Sequence, residues 1–460
     1  MTKTEEYLPE GWRFGTDGIR GKVASKMQPV FMTTVAMAAG KVLKEEGVEE
    51  ILIGKDTRIS GYMIESALQA GFISSGINVV LLGPVPTPAV SFLTALRREN
   101  AFGLVISASH NTYLDNGIKF FNSKGEKISS SLEKRIENYI LRLQQWNKDF
   151  LINDANTLGK ASRLIEAQDL YIEFCKSKTP DLDLSGRKIV LDAANGANYK
   201  IAPKVFEDLG AEIIKIACEP NGININESCG STNPENLSKS VIENKADFGI
   251  AFDGDGDRLS MVDSKGRVLD GDDLMYLFLQ NEENLDRFRN GDGVVGTHMT
   301  NLSLEKYLRN NGINFFRSDI GDKYVHTELE KRGWTFGGES SGHLMFLDEV
   351  SSGDALVASL KILDSIKDQD FRIDELVDGF VKFPQFMVNI EVKDPNLCLL
   401  DQNFIEALSK NEKILNDSGR ILIRPSGTEP VLRIMAEAEN KDLVEAVSYT
   451  HLTLPTKRIV

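Results

Sequence analysis

The chain is short of the residues that mark disulfide scaffolds and thiolate metal centres, with four cysteines among 460 residues. Cys175, Cys218, Cys229 and Cys398 lie far apart and form no CxxC pair, so the expectation is reduced thiols in a cytoplasmic protein. No apolar run approaches the roughly 18 residues that a membrane helix needs. The N-terminal stretch MTKTEEYLPEGWRFGTDG lacks the apolar core of a signal peptide. Positive charge is also in deficit. The 53 Lys and Arg against 68 Asp and Glu leave a formal net charge of -15, which argues against nucleic acid or an anionic membrane as the main partner. An anionic small-molecule substrate stays open, because local Arg and Lys can build a positive cleft on an acidic protein. No GxxxxGK[ST] pattern occurs, which disfavours an ATP-driven kinase. There is no GxSxG elbow and no evident acidic partner for a His-based triad. Of the five histidines, His298, His326 and His451 read as structural, and only His110 and His343 fall in polar loops rich in chemistry.

What is present reads as a soluble globular chain: 41% hydrophobic and 26% charged, long enough for about three domains. Short apolar runs alternate with amphipathic helical stretches. Glu50–Asp56, Asn78–Gly83 and Phe102–Ser109 read as strands, with a helix through Ile64–Ser74 joining the first two. The pattern recurs at Lys188–Gly196, Glu212–Ala217 and Asp247–Asp255, and again at Gly293–Met299 and Asn314–Gly321. Strand, crossover helix and strand is the signature of a parallel or mixed sheet. The expected fold is therefore α/β, with three related mixed-sheet units. The last segment differs. Phe386–Val392, a helical stretch, RILIRPSGTEP and VLRIMAEAE predict an antiparallel sheet with helices on one side, an α+β unit. Boundaries are expected near Asn153–Lys160, just after Arg258, and near Asp370–Pro384. Asn440 predicts an N-cap for a closing helix. Residues 447–460, VSYTHLTLPTKRIV, break that pattern and read as a foreign tail, with the last unit cut short inside its final helix.

Five segments carry the chemistry. In VISASHNTYLDNGIKFF (105–121), Ser109 follows an apolar strand, with His110 and Asn111 beside it and Lys119 beyond. Ligand sites in open α/β sheets lie at the C-terminal ends of strands. An isolated SHN could be an ordinary turn, but the returning DNGIK brings polar groups and a cation to the same place. Ser109 is then a phosphate acceptor and donor, with Lys119 or His110 managing the proton. In DGDGDR, Asp253, Asp255 and Asp257 alternate with glycines, so their carboxylates can face one point. An EF-hand would need Gly and Glu where Arg258 and Ser264 stand. Three hard oxygens suit Mg²⁺, and Arg258 can clamp a phosphoryl group. In RPSGTEP, Arg424, Ser426, Gly427 and Thr428 make a phosphate cradle or, standing alone, a plain hairpin loop. The glycine-rich GGESSGH offers Glu339, Ser341 and His343 to sugar hydroxyls, and RFGTDGIRG adds Arg20.

In this order, RFGTDGIRG, SASHN with DNGIKFF, DGDGDR, GGESSGH and RPSGTEP resemble the α-D-phosphohexomutase superfamily, from about Arg13 to Glu439. DNGIKFF and NGININESCGSTNPENL (221–237) are similar to its bacterial amino-sugar branch rather than to its phosphomannomutase/phosphoglucomutase branch. The resemblance implies four domains in a heart shape around a central cleft, the last of the TBP-like, phosphoglucomutase C-terminal type. It places them at 1–158, 159–262, 263–378 and 379–446. It implies a phosphorylated Ser109, Mg²⁺ held by Ser109, Asp253, Asp255 and Asp257, and sugar hydroxyls bound by Glu339, Ser341 and His343. It assigns the substrate's phosphate to Arg424, Ser426, Gly427 and Thr428, and support of the transfer to Arg20, His110, Lys119 and Arg258. The implied activity interconverts glucosamine 6-phosphate and glucosamine 1-phosphate through a hexose 1,6-bisphosphate, feeding cell-wall precursor synthesis. Glucose or mannose phosphates are the alternative substrates, and an impaired sugar-phosphate binding protein is the alternative of another class. A homodimer is an assembly open to it. Two positions depart from the pattern: Thr112 stands where proline usually follows SHN, and Ser340 where the amino-sugar enzymes usually carry Gln.

Overall fold

The computed structural model describes residues 8–97, 100–143, 155–392, 394–425, 431–445 and 447. Residues 448–460, most of the stretch read as a tail, lie outside the described residues.

Four sheets follow one another along the chain. The first has the strand order Ile19–Lys22, Asp115–Phe121, Ala101–Ile106, Glu50–Lys55, Asn78–Pro84 and Ala161–Arg163. Its centre is parallel, and Asp115–Phe121 and Ile19–Lys22 add antiparallel to one side. Alternation along the strands sorts the side chains onto two faces. Ile51, Ile53, Leu104 and Ile106 meet the helix Pro29–Glu45 through Met32, Val35 and Ala39. Leu52 and Val105 face the helix Thr87–Ala95 through Val90 and Leu93. The expected helix at Ile64–Ser74 starts earlier, as Ser60–Ser74. Ala161–Arg163, just past the residue-158 boundary expected from sequence, pairs in parallel with Asn78–Pro84 at the edge of this sheet.

The second sheet is ordered Val268–Leu269, Leu259–Val262, Phe248–Phe252, Lys188–Asp192 and Glu212–Ile216. The third is ordered Asn314–Ser318, Gly293–Thr297, Phe336–Gly338 and Leu344–Phe346. Both mix parallel and antiparallel pairs, so the expectation of three mixed-sheet units holds. Helices start where the sequence supplies caps. Asp270 and Asp273 form a reciprocal capping box at Gly271–Phe278, and Asp354 caps Ala355–Ser365. The fourth sheet is antiparallel, ordered Gln385–Glu391, Val431–Ala438 and Gly419–Pro425.

One hydrophobic core runs through the first three units, from Leu52 and Val105 through Leu191 and Phe252 to Phe336 and Leu363. The fourth sheet has its own core of Ile390, Phe404, Leu415, Leu432 and Ile434, closed by Val444 of the helix Lys441–Glu445 and by Val447. Asn440 caps that helix by accepting from the Asp442 N–H at 2.8 Å. The two bodies meet through directed polar contacts. Asn301 both donates to the Phe383 carbonyl and accepts its N–H, at 3.0 Å each. Arg420 donates to the carbonyls of His298 and Thr300 at 2.8 and 2.7 Å. Among the described residues, no helix is long and apolar enough to cross a membrane.

Candidate active site

Ser109 lies at the meeting point of the first two sheets. The strand that leads to it stops at Ile106, three residues sooner than the sequence implied; the Ser107 N–H still bonds the Gly117 carbonyl at 3.0 Å while its hydroxyl donates to Asp56 at 2.6 Å. Ser109 then takes a left-handed conformation, φ 53°, which costs a non-glycine residue about 1–2 kcal/mol. The hydroxyl is buried and donates to Asp253 Oδ2 at 2.7 Å. His110 Nδ1 lies 3.4 Å from the same oxygen. Burial, and then the charges of Arg258 and Arg20, push the His110 imidazole down to about 4, so it is neutral at pH 7.

Asp253, Asp255 and Asp257 do converge as their spacing implied, with one oxygen from each within 4.8 Å of the others. All three follow the end of Phe248–Phe252, the middle strand of the second sheet. Burial, reinforced by Asp257 and Asp255, drives the Asp253 carboxyl well above its usual range. Asp255 Oδ1 and Asp257 Oδ1 are buried with no hydrogen-bond partner. Converging oxygens, unmet lone pairs and a carboxyl pushed toward its neutral form fit a hard divalent cation such as Mg²⁺. Gly254 lets this loop approach the serine: a Cβ there would meet the Ser109 carbonyl at 2.8 Å and Asn226 Nδ2 at 2.6 Å.

Lys119 is buried and lies 3.1 Å from Asp255, 3.4 Å from Asp257 and 3.2 Å from Asp17. Burial opposes its charge, but those three carboxylates outweigh it and hold the ammonium well above its usual pKa. Arg20 sits on the neighbouring strand, opposite Gly117, and also pairs with Asp17. For Arg258 burial again works against the charge. Asp257, Asp253 and Glu339 prevail, and the guanidinium is raised.

The sugar-loop candidates sit against the loop of the three aspartates. Gly342, at φ 87°, packs so closely on the strand Leu259–Val262 that a Cβ would lie 1.9 Å from the Leu259 carbonyl. This brings His343 to 3.8 Å from Asp257 and 3.8 Å from Asp322. Burial works against the imidazolium, but Asp257, Asp322 and Glu339 outweigh it and raise His343 to about 9. Glu339 accepts the Gly321 N–H at 2.9 Å. Ser341 lines a separate cavity of about 450 Å³ with Ser340, Asp272 and Lys382. Beside the carboxylates lies a cavity of about 340 Å³ that touches Lys119, Lys127, Asp257, Asp322 and His343. Arg424 is exposed at the end of Gly419–Pro425. Ser426, Gly427 and Thr428 lie outside the described residues.

Several members of the cluster escape a reading of motifs. Asp17 stands inside RFGTDGIRG yet drew no role beside Arg20. It ties Arg20, Lys119 and Lys127 together, and Lys127 also reaches Asp322 in the third unit. Thr87 donates to Asp255 Oδ2 at 2.7 Å. It follows the strand Asn78–Pro84, so the strand-end rule that found Ser109 could have found it too. Arg58, which holds the serine loop, follows the strand Glu50–Lys55 and was open to the same rule; Asn226, which holds it too, gave no such signal.

Models of the phosphoglucomutase/phosphomannomutase alpha/beta/alpha domains I, II and III match residues 12–146, 169–266 and 270–383, and that of the C-terminal domain matches 387–448. A phosphoglucosamine mutase of Pseudoalteromonas translucida is 50% identical over 433 residues, covering 94% of this chain and 94% of that one. One from Photobacterium profundum is 49% identical over 437 residues, covering 94% and 96%. Among solved structures, a phosphoglucomutase/phosphomannomutase family protein from Burkholderia thailandensis superposes with a TM-score of 0.80 at 24% identity, over 98% of this chain and 97% of that one. An Aspergillus fumigatus N-acetylphosphoglucosamine mutase, solved with GlcNAc-6P and magnesium, gives 0.68 at 15% identity over 99% and 98%. At those identities the two structures share the fold.

Proposed function

The chain belongs to the phosphoglucomutase/phosphomannomutase family and is a phosphohexomutase, and on that premise we propose that it interconverts glucosamine 6-phosphate and glucosamine 1-phosphate by way of a phosphoserine at Ser109. The relatives of about half identity, which span nearly the whole chain, support the amino sugar as substrate. The observation that carries the mechanism is the Ser109 hydroxyl placed 2.7 Å from the first of three converging carboxylates.

In the forward direction a hydroxyl of the sugar attacks the phosphorus of phospho-Ser109. The bond to Ser109 Oγ breaks, and the product is the 1,6-bisphosphate with a free Ser109 alkoxide or hydroxyl. The bisphosphate turns over, and its other phosphoryl group returns to Ser109 by the reverse step. Asp253, Asp255, Asp257 and Ser109 would hold Mg²⁺, which when bound neutralises charge on the transferring group. Lys119 stays protonated, so its part is electrostatic: it offsets the carboxylates and the phosphoryl oxygens. His110 is neutral and close to Oγ, which fits it to accept the proton released by the attacking hydroxyl and return it to the departing oxygen. His343, held charged, and Glu339 are the candidates to orient sugar hydroxyls. Arg424, with Ser426, Gly427 and Thr428, is the candidate for the phosphate that does not react. One serine serves both ends of the sugar if that distal site accepts either orientation, and a pivoting last unit fits this need.

Incubation with a hexose 1,6-bisphosphate labelled in its phosphates tests the covalent step. Label that appears on Ser109 and is then chased into sugar 6-phosphate supports the reading. Label released only as inorganic phosphate would make the protein a phosphatase instead.

A further inference from the structure

Both backbone polar groups of Ser109 are held by side chains. The Ser109 N–H donates to Ser107 Oγ at 2.9 Å, and that hydroxyl donates to Asp56 Oδ2 at 2.6 Å. Asp56 in turn accepts from Arg58 Nε at 2.8 Å and from the Arg58 N–H at 3.0 Å. The same arginine closes the circuit. Its Nη2 donates to the carbonyls of Ser109 and Asn111, each at 2.8 Å, and its Nη1 reaches the carbonyls of Thr112 and Asp115. Arg58 is 1% exposed and Asp56 likewise, so this is a buried brace rather than a surface pair. A second clamp comes from the second unit. Asn226 Nδ2 donates to the same two carbonyls, Ser109 and Asn111, at 2.9 Å each. Both acceptors are carbonyl oxygens, which fixes the amide with its nitrogen toward the loop. Asn226 lies in NGININESCGSTNPENL, a stretch for which the reaction itself supplies no role.

We propose that Arg58 and Asn226 are positioning residues for phosphoryl transfer: together they hold the Ser109 carbonyl, and so the left-handed turn that aims Oγ at Asp253. This rests on the phosphoserine reading above. A left-handed serine without bracing relaxes toward commoner backbone conformations and takes its hydroxyl off the carboxylates. Thr112, where proline would stiffen the loop, puts more of that task on side chains, and its carbonyl is one that Arg58 holds. The brace needs a fork of several donors, which arginine has and lysine lacks. Because Asn226 arrives from the second unit, it also keeps the serine loop and the carboxylate loop in register.

Asn226 is half-buried on a loop, so its variants are the test, made in the full chain. Asn226→Ala removes both donors. Asn226→Asp keeps the shape but turns a carboxylate oxygen on two carbonyls. Each is expected to lower kcat about 100-fold, the cost of a small misplacement of reacting groups, while KM for glucosamine 6-phosphate stays within about twofold. Amide hydrogen exchange of the peptide spanning Ser107–Thr112 is expected to quicken at least tenfold, with the rest of the first sheet unchanged. Arg58→Lys is expected to quicken exchange in the same peptide. A folded Asn226→Ala protein with kcat within twofold of the parent and unaltered exchange overturns the proposal. So does a loss spread evenly over kcat, KM and exchange throughout the molecule, which marks a purely structural residue. If the parent itself has no mutase turnover, the function proposed above falls, and the exchange comparison still decides whether Asn226 and Arg58 hold the loop.

Discussion

Ser109 and Asp253 are separated by 144 residues of chain, yet the hydroxyl of one donates to the carboxylate of the other at 2.7 Å. That contact joins the ends of strands from two different sheets and is, on the function proposed above, the place of phosphoryl transfer. Ser109→Ala removes the acceptor without disturbing the sugar-loop residues. Mutase turnover should vanish while glucosamine 6-phosphate still binds with an affinity within about threefold of the parent, a change under 1 kcal/mol. Calorimetric titration beside a turnover assay checks both halves, and retained turnover would remove Ser109 from the mechanism.

Asp255 is in contact with Lys119 and Thr87 through Oδ2 while Oδ1 has no partner. Asp255→Asn should weaken Mg²⁺ binding by more than the 10–100-fold typical of groups that only support a ligand. Activity should fall with it and recover in part at high Mg²⁺. An unchanged Mg²⁺ dependence would argue that the carboxylates are not the metal ligands.

Lys119 is the buried cation that Asp17, Asp255 and Asp257 share. Lys119→Met leaves buried carboxylates short of charge, a loss of about 3–5 kcal/mol for a broken buried pair. Thermal unfolding in a chelator should show a clear drop in Tm, and adding Mg²⁺ should return part of it. Equal Tm for parent and variant in chelator would mean that Lys119 does not balance the cluster.

Asp354 is fully buried, caps Ala355–Ser365 and accepts the Tyr171 hydroxyl at 2.8 Å. Burial raises its carboxyl from 3.8 to about 6. The folded protein therefore binds this proton more tightly than the unfolded chain does. The stability it confers is full below about pH 4 and is lost as pH rises through about 6, by roughly 3 kcal/mol. Asp354→Asn keeps the cap and removes the titration. The stability difference between variant and parent should grow in the variant's favour from pH 4 to pH 6.5, measured by urea unfolding. A difference that does not change with pH would contradict this.

The sequence analysis reached the α/β units and the antiparallel last sheet because strand and helix periodicities are local properties. It singled out Ser109, Lys119, the aspartates and His343, which the structure brings into one cluster, because phosphate and metal chemistry confines residue types to short runs. Long-range placement was out of its reach. Nothing local in Asp56–Arg58 or Asn226 says that these side chains close on the Ser109 carbonyl from 51 and 117 residues away. Lys127 and Asp322, which tie the first unit to the third, are invisible for the same reason. Periodicity also stretched the strand before Ser109 by three residues, since an apolar run does not reveal that regular pairing ends at Ile106.

The most direct test of the account compares mutase turnover on glucosamine 6-phosphate with that on glucose and mannose 6-phosphates. Mg²⁺ and a trace of 1,6-bisphosphate to charge Ser109 are present throughout. The account predicts turnover that depends on Ser109 and a kcat/KM for the amino sugar at least about tenfold above either hexose, within the reach of a site that reads one polar substituent. A kcat/KM for glucose or mannose phosphate that equals or exceeds that for glucosamine phosphate, or turnover that survives in Ser109→Ala, would contradict it.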